Sequence, residues 1–275
     1  MSKSSGYPQT ELQDKFSLNT VMDSKRTKST FRTLLISIAF SLPGLLQAGT
    51  QYKGFEYVYS LSKNDFTVAH VNRKLEVSEN KLTFTSHAYP VGFASLFTSD
   101  TITEQSIINI TNDTFIPGSY SYVKQADKIK KQFQIRYNQA NNTVTDSRVQ
   151  TPFKLIPGTF DVLSFQLALA KTLTTSRPKL TFTLIDNKHS KTYKLEPQGE
   201  EQLEAGTSKF ATLKFFYFDE IKKRQVTIWC ARELNYLPIQ IKRLDNDGDY
   251  AVLKLISLKP VTGTEDVSDD NENDF

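Results

Sequence analysis

Apolar and polar residues alternate along most of the chain from Tyr52 onward. The first clear run places Phe55, Tyr57 and Tyr59 on one side, with polar residues between them. A period of two in segments rich in Thr, Val, Ile and aromatic residues predicts antiparallel strands with one wet and one apolar face. Similar runs lie at 81–89, 133–137, 180–184, 210–218, 225–231, 237–244 and 249–258. Turn residues separate them, as in the Asp-Asn-Asp-Gly segment at 245–248.

One segment departs from this period. After Pro157-Gly158, apolar residues follow a helical spacing from Thr159, a predicted helix cap, to about residue 174, with Asp161 in the first turn. The apolar residues cover more than half of the helix circumference, so the helix should be buried against the concave face of a sheet. We therefore predict a mainly β fold: an antiparallel curved sheet or half-open barrel with one buried helix over about 159–174. Core packing and a lid over an apolar cavity both remain open for this helix.

The segment Leu34–Ala48 predicts export. It is apolar, follows the basic residues Lys25, Arg26, Lys28 and Arg32, and ends in a small residue, as in a secretory signal peptide. It is shorter than the roughly 20 residues of a membrane-spanning helix, and no later segment predicts a transmembrane span. We expect cleavage near Ala48 and a periplasmic location.

These features divide the chain into four parts. A start at Met22 gives a signal peptide over 22–48, so residues 1–21 are a start-site misassignment or an extended n-region of the signal peptide. A single β-rich domain is expected over 50–260. Residues 261–275 contain six acidic residues and no basic one, which predicts a disordered acidic tail.

Charge narrows the choice of partners only slightly. The chain carries a formal net charge of +4, and much of this excess lies in the leader. Without leader and tail, the body is mildly basic, which suits an ordinary solvated surface or attraction to an anionic membrane or polyanion. The basic clusters at 128–131 and 222–224 match no nucleic-acid-binding motif, so we expect no nucleic-acid partner.

No catalytic or metal motif is evident. The three histidines, His70, His87 and His189, lack the spacing of metal ligands, and no cofactor-binding motif occurs. The acidic turn at 245–249 lacks the later glutamate of a calcium loop. The only cysteine, Cys230, falls on the apolar side of a predicted strand, so we interpret it as a core residue. We predict no catalytic residues, no metal and no cofactor.

Several segments carry a family resemblance. YPVGFASLFTSDTITEQS (89–106), PGTFDVLSFQLALAKTL (157–173) and IWCARELNYLPIQIKRLDNDGDYAVLKL (228–255) resemble the DUF3108 family of exported proteobacterial proteins. The opening GFEYVYSLSKNDFTVAHVNRKL (54–75) matches as well. The resemblance implies a Gram-negative periplasmic address and one β-rich domain, and it brings no catalytic residues. LPIQIKRLDNDGDY (237–250) is similar to the final hairpin of LolA-like lipoprotein carriers, which implies a half-open barrel with a helix over an apolar cavity.

These observations predict a non-enzymatic, periplasmic cell-envelope protein that binds a hydrophobic or lipid-like ligand, or a partner protein of the envelope. The candidate ligand-binding residues are Phe93, Leu96 and Phe97, in an apolar loop without periodicity, and Phe165 and Leu169 on the helix. The alternative role of all five is core packing.

Two other functions stay open at this point. An envelope hydrolase acting on glycan or lipid would need catalytic groups drawn from Asp161, Glu104 or His87 to converge. A structural scaffold would use the acidic tail to dock a basic partner.

Overall fold

The computed structural model describes residues 52–126, 130–186, 189–220 and 222–259. The predicted signal peptide (22–48), the segment 1–21 and the acidic tail (261–275) lie outside the described residues. Sixteen strands are described, one α-helix, α1 (Ser164–Leu173), and two 3₁₀ helices (Gly92–Leu96 and Arg232–Leu234). The strands in the first half of the chain are β1 (Phe55–Lys63), β2 (Phe66–Ser78), β3 (Lys81–Pro90), β4 (Thr101–Thr111), β5 (Thr114–Gln125), β6 (Lys130–Asn138), β7 (Thr143–Asp146), β8 (Phe153–Lys154) and β9 (Thr159–Phe160). Those in the second half are β10 (Thr181–Asp186), β11 (His189–Lys194), β12 (Glu196–Ala205), β13 (Ser208–Asp219), β14 (Arg224–Ala231), β15 (Leu237–Leu244) and β16 (Tyr250–Lys259).

Thirteen strands form one antiparallel sheet. Its spatial order is β12-β13-β14-β15-β16-β1-β2-β3-β4-β5-β6-β7-β8. The first and last strands of the described body, β1 and β16, pair in the middle, so the two halves of the chain join into one sheet. A small sheet of order β11-β10-β9 accompanies it. The prediction of a mainly antiparallel β fold is confirmed.

The sheet curves around α1. Strands from both halves of the chain contribute buried side chains to one core with the helix, including Phe84 from β3, Ile135 from β6 and Ile228 from β14. Leu163 and Leu169 of the helical segment are among the most deeply buried residues. The predicted burial of the helix is confirmed, since every residue of α1 except Lys171 and Thr172 is buried. A helix whose apolar residues cover most of its circumference needs such cover.

The helix is shorter than the sequence predicts. It runs from Ser164 to Leu173, whereas Thr159 and Phe160 form β9 and pair with β10. The hydroxyl of Thr159 binds the carbonyl of Ile156 instead of capping the helix. The local pattern missed this boundary because the pairing partner, β10, lies more than twenty residues away in sequence.

A charged contact holds the end of α1. Lys171 Nζ lies 2.6 Å from Asp113 Oδ2, in the turn between β4 and β5. The same ammonium group donates to Tyr52 Oη at 2.6 Å, and Tyr52 donates to Asp113. A cation in the last helical turn also suits the helix dipole. These contacts tie the helix to the end of the sheet that carries the β4–β5 turn.

A second, smaller core lies where the β12–β13 hairpin meets β16. Gly206, in the hairpin turn, has φ +60°, and a methyl group at this position would lie 2.7 Å from the backbone oxygen of Ile256. We expect Gly206→Ala to lower the free energy of unfolding by about 2 kcal/mol, from strain and from displaced backbone. The control is Gly92→Ala, where φ is +56° and nothing lies within 4 Å, so only the strain of about 1 kcal/mol applies. Urea unfolding measures both variants, and an equal decrease in the free energy of unfolding for Gly206→Ala and Gly92→Ala would contradict the close packing of the hairpin.

Candidate functional site

The apolar loop between β3 and β4 projects into solvent. We call Phe93, Leu96 and Phe97 the apolar tip: their exposed fractions are 75%, 74% and 73%. Phe93 and Phe97 touch each other, with ring centroids 4.7 Å apart. Phe66, at the start of the neighbouring strand β2, is 77% exposed. Four large apolar side chains therefore face water at one end of the sheet.

Backbone hydrogen bonds hold the apolar tip in shape. Pro90 ends β3, and the 3₁₀ helix that follows is closed by bonds from Phe97 N and Thr98 N to the carbonyl of Ala94. Ser95 Oγ donates to the carbonyl of Gly92 at 2.7 Å. Val91 N donates to Val68 O at 3.2 Å, which fastens the turn to β2. Hydrogen bonds to backbone carbonyls thus fix the conformation of the turn, while its large apolar side chains stay exposed to solvent.

Exposure on this scale is unusual for side chains of this size. An aromatic side chain buries about 150–250 Å² when it is packed, and clustered apolar surface on soluble proteins commonly marks a site of interaction. Scattered single apolar residues carry no such meaning. The apolar tip is a cluster on one turn, so it is the strongest candidate interaction site in the described part of the chain.

The two candidate residues on the helix lie elsewhere. Phe165 is buried, and its ring meets that of Phe182 edge-on at 5.1 Å. Leu169 is completely buried. Both belong to the core around α1. The structure therefore brings Phe93, Leu96 and Phe97 together but separates them from Phe165 and Leu169.

None of the five candidate residues lines either of two surface pockets in the described part of the chain. A groove of about 500 Å³ lies across β5, β6 and β7. Its lining includes Ser119, Arg136 and Thr145, which are neighbours in register and alternate with the core residues. The groove therefore lies on the outer face of the sheet, and most of the residues that line it are of polar types. The second pocket, of about 220 Å³, lies beside the β13–β14 and β15–β16 turns.

Asp161 forms the centre of a buried polar cluster at the start of α1. It is 1% exposed, and its Oδ1 accepts the backbone N–H groups of Leu163 and Ser164, each at 2.9 Å. Its Oδ2 accepts hydroxyl hydrogen bonds from Ser106 at 2.8 Å and from Ser164 at 2.7 Å. The Asp161 N–H in turn donates to Ser164 Oγ, as in a capping box. Asp161 thus caps the helical segment and fastens it to β4, although the sequence had placed it inside the first turn.

A second carboxylate, Glu104, belongs to the same interior. It follows the alternation of β4 that also points Ser106 inward, and it accepts a short hydrogen bond from the Tyr120 hydroxyl. Burial raises the pKa of Glu104, while Tyr120 and the charge of Arg73 act to lower it. Burial likewise raises the pKa of Asp161 against its hydrogen bonds. Both acids are therefore engaged by neighbouring groups of the protein.

Arg73 is a buried residue that the sequence analysis did not single out. Its Nη1 donates to Gln166 Oε1 at 2.7 Å, and its guanidinium carbon lies 4.9 Å from the centre of the Tyr59 ring. The signal was present: Arg73 occupies an apolar position in the alternation of Val71 and Leu75. A cation in such a position indicates a specific interior partner, which here is the helix.

The three groups of the hydrolase alternative do not all meet. Glu104 and Asp161 lie close enough for the charge of Asp161 to raise the pKa of Glu104. His87 of β3 pairs with Thr103 of β4, and His87 Nδ1 lies 2.9 Å from the Thr103 hydroxyl. Thr103 is adjacent to Glu104 in the strand, so the side chains of these two residues point to opposite faces of the sheet. The histidine is therefore on the other face of the sheet.

The described residues also give little support to a cysteine nucleophile, a metal site or a membrane-spanning helix. Burial raises the pKa of the Cys230 thiol far above its usual value, so the thiolate needed for a nucleophile is disfavoured. Across the described segments, no cluster of three or more His, Cys, Asp or Glu side chains has the arrangement of a metal site. Within those same segments, no helix is both long and apolar enough to span a bilayer.

Comparison with known proteins identifies the family of the chain. The model of a family described as "Protein of unknown function (DUF3108)" matches residues 57–256, which confirms the resemblance inferred from the motifs. Among solved structures, the chain is similar to a beta-barrel-like protein of the domain of unknown function DUF1849 from Brucella abortus. The two share 12% identity at a TM-score of 0.46, over 75% of this chain and 97% of the other. No match was found among curated protein sequences.

Proposed function

Because the chain belongs to the DUF3108 family, whose description assigns no activity, we propose a function from the site itself: the protein is a non-enzymatic, periplasmic cell-envelope protein that binds a hydrophobic, lipid-like surface through its apolar tip. The observation that carries the proposal is the exposure of Phe93, Leu96 and Phe97 on one well-formed turn. The predicted signal peptide supports the periplasmic address.

The shape of the apolar tip favours an extended partner over a small enclosed ligand. The three side chains protrude from a turn between two strands, and Phe66 adds apolar surface beside it. A small hydrophobic ligand is usually held in a concave pocket of roughly 300 Å³ or more. A protruding turn suits insertion into a lipid layer, where each apolar side chain leaves water.

The proposal is tested by removing the apolar surface. We expect the exported chain to bind nonionic detergent micelles and phosphatidylcholine vesicles, and the triple variant Phe93→Ser, Leu96→Ser, Phe97→Ser to bind at least about tenfold more weakly. Transferring one such side chain out of water contributes about 1.5–3 kcal/mol when its burial is complete. Binding is measured by vesicle flotation and by micelle titration.

A matched control changes exposed apolar residues elsewhere. Ile156 and Leu258 are each 43% exposed and lie outside the apolar tip. The double variant Ile156→Ser, Leu258→Ser should bind as the unmodified protein does, and circular dichroism verifies that all variants are folded. An unmodified protein that binds neither micelles nor vesicles would refute the proposal. So would a triple variant that binds with full affinity.

A further inference from the structure

We propose that the surface contacted by the apolar tip is an anionic phospholipid bilayer, and that Lys130 and Lys131 bind its phosphate groups. This inference rests on the proposed function and names the chemistry of the partner. It starts from a placement that the sequence does not reveal: the apolar tip and these two lysines are 33 or more residues apart in the chain.

Strand register brings them to one end of the sheet. Ala88 of β3 pairs with Ile102 of β4, Ile102 pairs with Lys124 of β5, and Lys124 pairs with Lys131 of β6. The apolar tip connects β3 to β4 at this same level. Neighbouring strands lie about 4.8 Å apart, so Lys131 is only two strands from the base of the tip.

The two lysines are available to an outside anion. Both are exposed, and neither forms an ion pair in the described part of the chain. Lys124, between them and the tip, is already paired with Asp100 at 2.7 Å. Among the described residues, the nearest acid on this side is therefore neutralised, and Lys130 and Lys131 carry positive charges that no described acid compensates.

Charge is also distributed unevenly along this end of the sheet. The β15–β16 turn carries Asp245, Asp247 and Asp249, of which Asp245 pairs with Arg243 and Asp249 with Lys63. The acidic side and the lysine side are separated by β1 to β4 in the sheet order. Asp245 and Asp249 are thus compensated by basic partners, whereas Lys130 and Lys131 have no acidic partner among the described residues, so the lysine side is the more positive part of this end of the sheet.

This arrangement matches the needs of a lipid interface better than those of a protein groove. Apolar side chains enter the boundary between headgroups and acyl chains, while lysine stems lie along the apolar region and hold their ammonium groups at the phosphates. Each lysine near an anionic surface strengthens binding about fivefold. The effect decays within a Debye length of about 8 Å at physiological salt, so the lysines must reach the membrane surface, and they lie at the end of the sheet that carries the apolar tip.

The experiment compares vesicles of phosphatidylcholine alone with vesicles that contain phosphatidylglycerol at about one third of the lipid. The unmodified protein should bind the anionic vesicles more tightly, and high salt should remove the difference. The variant Lys130→Gln, Lys131→Gln should lose about 25-fold in affinity for anionic vesicles. It should keep its affinity for nonionic micelles, since its apolar tip is intact.

The control removes the same charge at the other end of the sheet. Lys81 begins β3, and Lys154 pairs opposite the first residue of β7, so both lie away from the apolar tip. Lys81→Gln with Lys154→Gln should leave the preference for anionic vesicles unchanged. An equal loss in this control would overturn the inference, because it would show an effect of net charge alone.

The outcomes separate the two proposals. Equal binding of the unmodified protein to both kinds of vesicle overturns the anionic inference and leaves the proposed function standing. Binding to neither vesicles nor micelles overturns both. If the apolar tip instead mediates association of two copies, sedimentation velocity shows a tip-dependent dimer without vesicle binding, and this result also overturns the inference.

Discussion

Replacing Leu169 with alanine is expected to lower the free energy of unfolding by about 3 to 4 kcal/mol. The side chain is completely buried in the core between α1 and the sheet. Leu→Ala substitutions in such positions cost about 2–5 kcal/mol, because transfer energy is lost and the cavity closes only in part. Trp229, the only tryptophan, is buried, so its fluorescence reports urea unfolding.

This measurement also tests the role of Leu169 as a ligand residue. Val162 precedes the helix and is 42% exposed, so Val162→Ala should cost less than about 1 kcal/mol and serves as the control. A side chain that lined an open ligand cavity would be poorly packed, and its truncation would cost little. A loss for Leu169→Ala as small as that of the control would place the residue beside a cavity rather than in the core.

Replacing Asp161 with alanine is expected to lower the free energy of unfolding by about 3 kcal/mol. The change removes a cap, typically about 1 kcal/mol. It also leaves buried donors of Ser106, Ser164 and Leu163 without their acceptor. Each buried polar group without a partner costs about 1–3 kcal/mol, which the helix recovers only by local rearrangement. Urea unfolding followed by Trp229 fluorescence measures the loss.

Asp161→Asn is the matched control, since an asparagine retains an acceptor oxygen and caps helices well. We expect it to cost clearly less than alanine. The pH dependence gives a second distinction. Burial raises the folded-state pKa of Asp161, so its protonated form stabilises the fold at low pH, and that contribution is lost as pH rises through the folded pKa. The free energy of unfolding of the asparagine variant should not show this part of the decrease as pH rises. A variant whose unfolding free energy depends on pH as that of the unmodified protein does would contradict a buried, titrating Asp161.

Local patterns were sufficient for most of the secondary structure. Alternation in segments such as 225–231 predicts a strand, and β14 is observed at Arg224–Ala231. A period of two places side chains on opposite faces whatever the partner strand, so it can be recognised from neighbours alone. The change of period after Gly158 likewise located α1, the one α-helix among the described residues. Its beginning was misplaced by five residues, because pairing of Thr159 with β10 and anchoring of Asp161 by Ser106 are long-range contacts.

The candidate site could be predicted only in part. Hydrophobicity singled out the apolar tip together with Phe165 and Leu169, but it carries no information on which apolar residues the fold covers. The tip is excluded from the core because the turn between β3 and β4 directs Phe93, Leu96 and Phe97 away from the sheet. Buried Arg73 and half-buried Glu104 had a recognisable signal in strand parity, whereas their partners Gln166 and Tyr120 had none.

The amino-acid sequence alone determined the β-rich class, the presence and burial of one helix, the family resemblance and the predicted export. Each of these depends on composition or on the spacing of near neighbours. Tertiary structure alone decided that Asp161 caps the helix from a buried position, that Leu169 is core while Phe97 is exposed, and that Lys131 lies near the apolar tip. These features depend on the register of strands β3 to β6 and on the curvature of the sheet around α1, which join residues far apart in the chain.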